Sequence, residues 1–179
     1  HASMSADELR GYYASIVKDF GVVSLEDPFE EHAFIDFAAL KSDFAAKRLP
    51  CQVVGDDLTV TNPARIKQAI DAGSANCLLL KINQIGTITE AIEAARLARS
   101  AGWNVMVSHR SGETDDAYIN HLAVGLGTGQ AKIGAPCRGE RTAVGEDSQP
   151  AGEGKLAMSR PTIAPSGPAP GPSAAPAGC

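Results

Sequence analysis

Cys77-Leu-Leu-Leu-Lys81, Gly86-Thr87-Ile-Thr-Glu90 and Asn104-Val-Met-Val-Ser-His109 follow one another within a single stretch of chain. The first segment is a short apolar run that stops at a lysine. The second pairs a glycine with Thr-x-x-Glu, the capping-box signature of a helix start. Ile88, Ile92 and Ala95 then fall on one helical face, and Gly102 is placed to stop that helix. The third segment is a second apolar run, which ends at a histidine. Short apolar runs joined by an amphipathic helix read as two buried parallel strands and their crossover.

The same layout repeats in both directions. Upstream, Gly21-Val-Val-Ser-Leu25 runs into Glu26-Asp27-Pro28-Phe29, and Cys51-Gln-Val-Val-Gly55 runs into Asp56-Asp57. Downstream, Gln130–Ile133 is a short strand that carries Lys132 and is closed by Gly134-Ala-Pro136. Helices are predicted over 6–18, 32–46 and 115–126, and another begins at Asn62-Pro63, where asparagine caps and proline suits the first turn. Gly73 is placed to end it. The count is about five strands with intervening helices, so the sheet is predicted to be parallel. The fold class is α/β, a partial TIM-type (β/α) barrel. A complete eight-stranded barrel takes roughly 250 residues, and this chain has 179.

Bulk composition narrows the function classes. A net charge of -5, with both signs interspersed, gives no reason to expect a nucleic-acid partner. No apolar run approaches the roughly 20 residues of a membrane span. The start lacks a signal-peptide pattern. It also lacks an initiator methionine, which suggests a cut or processed end. The four cysteines, at 51, 77, 137 and 179, form no Cys-x-x-Cys pair. Cys51 and Cys77 sit in apolar runs as small hydrophobes, which points to a reducing, cytoplasmic compartment. Beyond Arg141 the periodicity disappears, and most of the 11 prolines lie from Pro150 onward. Residues 1–141 are therefore expected to form the barrel part, and 142–179 a Pro/Gly/Ala-rich disordered tail.

Strand-end residues carry the chemistry in a β/α barrel, because parallel strands all end at one mouth. Glu26 and Asp56 are strand-end carboxylates, fitted either to hold a hard cation or to serve as salt-bridge or capping residues. Asp57 is open between a lysine partner and a metal. Lys81 is a candidate general base if desolvated, or a lysine that snorkels to water. His109-Arg110-Ser111 combines an imidazole, a fork-shaped anion ligand and a hydroxyl, a set suited to a phosphate or carboxylate. Lys132 is a second strand-end cation for an anionic substrate.

Five strings together resemble the C-terminal half of the enolase family, over about residues 5–141. They are Ser24-Leu-Glu-Asp-Pro-Phe29, Gly55-Asp-Asp-Leu-Thr-Val-Thr-Asn-Pro63, Leu78-Leu-Leu-Lys-Ile-Asn-Gln-Ile-Gly-Thr87, Val107-Ser-His-Arg-Ser-Gly-Glu-Thr114 and Gly134-Ala-Pro-Cys-Arg-Gly-Glu-Arg141. The resemblance implies a cytoplasmic glycolytic lyase that dehydrates 2-phosphoglycerate to phosphoenolpyruvate with Mg²⁺ as cofactor, and a homodimer for the full-length member. It implies Glu26 and Asp56 as metal ligands and Lys81 as the base. Lys132 and His109 would contact the substrate, and Arg110 with Ser111 would hold its phosphate. It also implies that the family's N-terminal domain, the first barrel strands, one metal carboxylate, the glutamates of the general acid and the closing loops lie outside these 179 residues. The rival expectation is a non-catalytic fragment or interaction module.

Overall fold

The computed structural model describes residues 3–134, 139, 141 and 142. Five strands form one sheet: β1 (Ser24–Glu26), β2 (Gln52–Gly55), β3 (Cys77–Leu80), β4 (Asn104–Ser108) and β5 (Ala131–Lys132). Their spatial order is their chain order, and every neighbouring pair is parallel. Each crossover advances one strand in the same direction, the winding of a barrel rather than of a doubly wound sheet. Helix α1 (Ala6–Phe20) precedes β1, and α2 (Phe34–Ala46), α3 (Pro63–Ala72), α4 (Ile82–Ile85), α5 (Ile88–Ser100) and α6 (Tyr118–Gly125) lie between successive strands.

Alternate residues along each strand serve two different faces. Val53, Leu78, Leu80, Val105 and Val107 join Phe37, Leu40, Phe44, Ile66 and the alanines of α5 in the main core, between strands and helices. Their neighbours Val54, Cys77 and Leu79 form a second cluster with Met106 on the opposite face. Strands buried on both faces explain why the sequence shows continuous apolar runs here instead of alternation.

Side-chain bonds across the second face prove that the sheet curls. Gln52 donates to Ser24 at 2.9 Å and to Gln130 at 2.7 Å, and accepts from Asn104 at 3.1 Å. At about 4.8 Å per strand spacing, β1 and β5 in a flat sheet would lie some 19 Å apart. Lys132 on β5 nevertheless forms an ion pair with Glu26 on β1. The concave face is thus the barrel interior, and the five strands make a curled half-barrel with helices on its outer side. Gln52 is fully buried, and its amide groups are satisfied within this layer.

Some boundaries differ from the sequence expectation. The first strand, expected over 21–25, is Ser24–Glu26, because α1 runs to Phe20 and Gly21 closes it in the left-handed conformation at φ +64°. The helix expected over 115–126 begins at Tyr118, after an irregular segment. The short helix α4 was not foreseen. The tail expectation for 142–179 lies outside the described residues apart from Thr142.

Candidate functional site

The C-terminal ends of all five strands meet on one rim. Glu26 and Lys132 are the last residues of β1 and β5, while Asp56, Lys81 and His109 follow β2, β3 and β4 closely. Two charge pairs result. Lys132 Nζ donates to Glu26 Oε1 across the mouth. Lys81 Nζ donates to Asp56 Oδ2 at 2.6 Å, and these two side chains are only 13% and 11% exposed. Ammonium and carboxylate buried together in this way satisfy each other's charge, which neither would tolerate alone. The backbone N–H of His109 donates to the Lys132 carbonyl at 3.2 Å, tying the β4 and β5 ends together.

The loop after β2 is held under backbone strain. Val60 and Thr61 are β-branched and adopt φ of +44° and +56°, and Asp27, after β1, stands at +40°. Such conformations are costly for residues with a Cβ and persist only where the surroundings impose them. The contacts that impose them are visible. The Thr61 hydroxyl accepts the Lys81 N–H at 3.0 Å and lies 3.3 Å from both Leu79 O and Gln84 Oε1. The Asp27 carboxylate accepts the N–H of Asp56 at 3.0 Å and of Asp57 at 2.7 Å. Burial raises the Asp27 carboxyl above its usual range, against the lowering effect of those two amides. Burial also pushes the Cys77 thiol, on the concave face, up to about 12, with a further push from the Glu26 charge.

The three carboxylates of Asp27, Asp56 and Asp57 each bring an oxygen within 4.8 Å of the others. Asp56 Oδ1 is buried with no hydrogen-bond partner among the described residues. An orphaned carboxylate oxygen in an all-oxygen donor set fits a hard divalent cation such as Mg²⁺. Glu26 is not part of this triplet, and its carboxylate is engaged with Lys132. Asp57 is exposed and contributes to the loop through its backbone N–H.

The segment after β4 is organised by Glu113, whose Oε1 accepts the Arg110 N–H at 2.6 Å and the Asn83 side-chain amide at 3.1 Å. The Arg110 guanidinium reaches the Asn83 carbonyl at 3.3 Å, so the arginine lies against α4, next to Lys81. Ser111 is exposed in the same loop. The His109 ring contacts the Arg110 carbonyl through Nδ1 at 2.7 Å and lines a small cavity with Glu113, Thr114, Asp116, Ile119, Ile133 and Arg141. All seven residues singled out from the sequence therefore lie at strand ends or in the loops directly after them. Asp27, Thr61 and Glu113 were not singled out. They act on the backbone of their neighbours, and such contacts have no sequence pattern.

Comparison with known proteins adds an independent finding. A family model described as "Enolase, C-terminal TIM barrel domain" matches residues 1–147. An enolase from Eimeria tenella is 55% identical over 141 residues, which cover 79% of this chain and 31% of that protein. The chain thus spans about a third of the length of that relative, given the 31% covered.

Proposed function

Because the chain belongs to the enolase family through its C-terminal barrel domain, we propose that it forms part of the catalytic rim of a cytoplasmic, magnesium-dependent lyase that dehydrates 2-phosphoglycerate to phosphoenolpyruvate. The observation that carries this reading is the convergence of Lys81, Lys132, Asp56 and Glu26 on one barrel mouth. The proton beside a substrate carboxylate is weakly acidic, and its removal leaves an additional negative charge on an already anionic molecule. Only a site dense in fixed positive charge stabilises such an intermediate. Asp56, with its orphaned oxygen, and Glu26, once Lys132 has left it, would hold a divalent ion, which would supply that charge when bound.

In this proposal Lys81 accepts the C2 proton. Its nitrogen is tied to Asp56, so before it can act as a base it has to leave that carboxylate and give up its ammonium proton, to the carboxylate or to water. Lys132 leaves Glu26 to neutralise the substrate carboxylate. Arg110 and Ser111 hold the phosphate, and His109 contacts the substrate beside them. Departure of the C3 hydroxyl as water needs an acid, which this reading assigns to chain beyond these residues. A homodimer is proposed for the complete protein.

Solvent exchange of the C2 proton of 2-phosphoglycerate, followed by NMR in deuterated water, tests the role of Lys81. The chain is completed for this purpose with the N-terminal part of the related enolase. Exchange is expected with the unaltered chain and is expected to vanish in Lys81→Ala. Exchange that persists in Lys81→Ala would remove Lys81 from the role of base. A second reading, that the 179 residues alone are non-catalytic, is favoured by the 31% coverage of the relative and by the lack of a second neighbour for β1 and β5 among the described residues.

A further inference from the structure

Asp27 directly follows the strand-end carboxylate Glu26, yet it is engaged quite differently. Its two carboxylate oxygens are divided between two successive backbone amides of the β2 loop. Oδ1 accepts the Asp56 N–H at 3.0 Å and Oδ2 the Asp57 N–H at 2.7 Å. Its own N–H donates to the Val54 carbonyl at 3.1 Å, so backbone and side chain both grip the end of β2. To do so the residue occupies φ +40°, a conformation that a non-glycine residue takes up only at a cost. Charge-assisted bonds to two consecutive N–H groups define the position and the tilt of that peptide.

The pinned peptide carries the Asp56 side chain. With its backbone held at Asp56 and Asp57, the Asp56 carboxylate reaches Lys81 Nζ at 2.6 Å. We propose that Asp27 is a positioning residue that holds Asp56 in register with Lys81 by clamping the β2 loop amides. The proposal rests on the assignment of Asp56 and Lys81 to the site described above and adds a residue to its machinery. Asp27 also lies within the carboxylate triplet, but both of its oxygens already accept a backbone N–H, which favours the clamp over a direct ligand role.

The test reads the Asp56–Lys81 contact without reference to turnover. The 179-residue chain is acylated with a water-soluble acetylating ester, and the rate at each lysine is followed by peptide mass spectrometry. Lys67, exposed and paired with Asp71, is the internal reference. Asp27→Ala is expected to raise the Lys81 rate about three- to tenfold, the scale of one lost hydrogen-bonding contact. Asp27→Asn, which keeps the shape and one acceptor, should raise it less. Asp56→Asn should raise it as well, and adding Asp27→Ala to Asp56→Asn should change nothing further, because the clamp then has no carboxylate to position. An unchanged Lys81 rate in a folded Asp27 variant overturns the proposal, as does full additivity with Asp56→Asn or an equal rise at Lys67. Should Asp27→Ala unfold the chain, Asp27→Asn decides by the same criterion. Absence of lyase chemistry in the chain completed with the N-terminal part of the related enolase would refute the proposed function and leave this result standing, whereas an unchanged Lys81 would refute the clamp alone.

Discussion

Thr61 is fully buried, and its hydroxyl accepts the N–H of Lys81. Thr61→Val preserves the branched shape and leaves that N–H without an acceptor. The expected cost is about 1–3 kcal/mol of stability, the range for an orphaned hydrogen-bonding group. Urea denaturation measures it, and Thr61→Ser should recover most of the loss. An equal loss in Thr61→Ser would mean that the hydroxyl is not what matters. The buried cysteines make a second prediction at this scale. Burial holds the thiols of Cys51 and Cys77 up at about 11 and about 12, against an ordinary value of 9.0. A raised acid favours the folded state below the unfolded value, and that contribution is lost as pH rises through the folded value. Stability should therefore fall as pH climbs from about 9 toward 12, more steeply than in a Cys51→Ala, Cys77→Ala chain. Iodoacetamide at pH 8 should leave both thiols unmodified until the chain is unfolded. Residues with strand-end chemistry were legible in the sequence because charge at the end of an apolar run is conspicuous. Thr61 and Asp27 were not, since their work is on the backbone of distant neighbours.

Helix termini show where local sequence suffices. Asn62 accepts the N–H of Ala64 at 2.9 Å and of Arg65 at 3.3 Å, and Pro63 occupies the first turn, as Asn-Pro predicts. Gly73 closes that helix at φ +70°. Thr87 accepts the Glu90 N–H at 3.2 Å, the first leg of the expected capping box. Glu90 turns its carboxylate to the Thr87 hydroxyl at 2.6 Å. Asn62→Ala should cost about 1 kcal/mol of stability, read as a lowered thermal midpoint, and Asn62→Asp should cost far less. The elements that sequence reasoning misplaced were those fixed by neighbours. The apolar Gly21-Val-Val23 resembles a strand start, but Gly21 is consumed by the end of α1 and pairing begins only at Ser24. Helix α4 spans only Ile82–Ile85, too short to carry a period, and the Arg110–Asn83–Glu113 contacts brace it.

At the scale of the molecule, the parallel direction of the strands followed from the repeated layout, because helical crossovers return each strand to the same end of the sheet. The inner polar layer of Ser24, Gln52, Asn104 and Gln130 could not be foreseen, since nothing along the chain marks which polar residues of a strand turn inward. That layer curls the sheet but does not close it. Among the described residues, β1 pairs with β2 alone and β5 with β4 alone, which leaves two strand edges unpaired there. On the proposed reading, the rim of these five strands contributes the metal carboxylates Glu26 and Asp56 and the lysines Lys81 and Lys132, and no described residue is assigned as the acid for the leaving hydroxyl or as a cover that excludes water. Acid–base assistance is worth roughly 10²–10⁴-fold, and each missing preorganised charge contact removes about as much again. The 179-residue chain alone should therefore give no measurable dehydration of 2-phosphoglycerate in a phosphoenolpyruvate absorbance assay. Adding the remaining N-terminal part of the related enolase should restore turnover, because the added strands pair with both edges and supply the absent groups. Should the chain alone prove active, the missing groups must come from a second copy. Its specific activity would then rise with protein concentration, and a flat dependence would show that these residues hold a complete site.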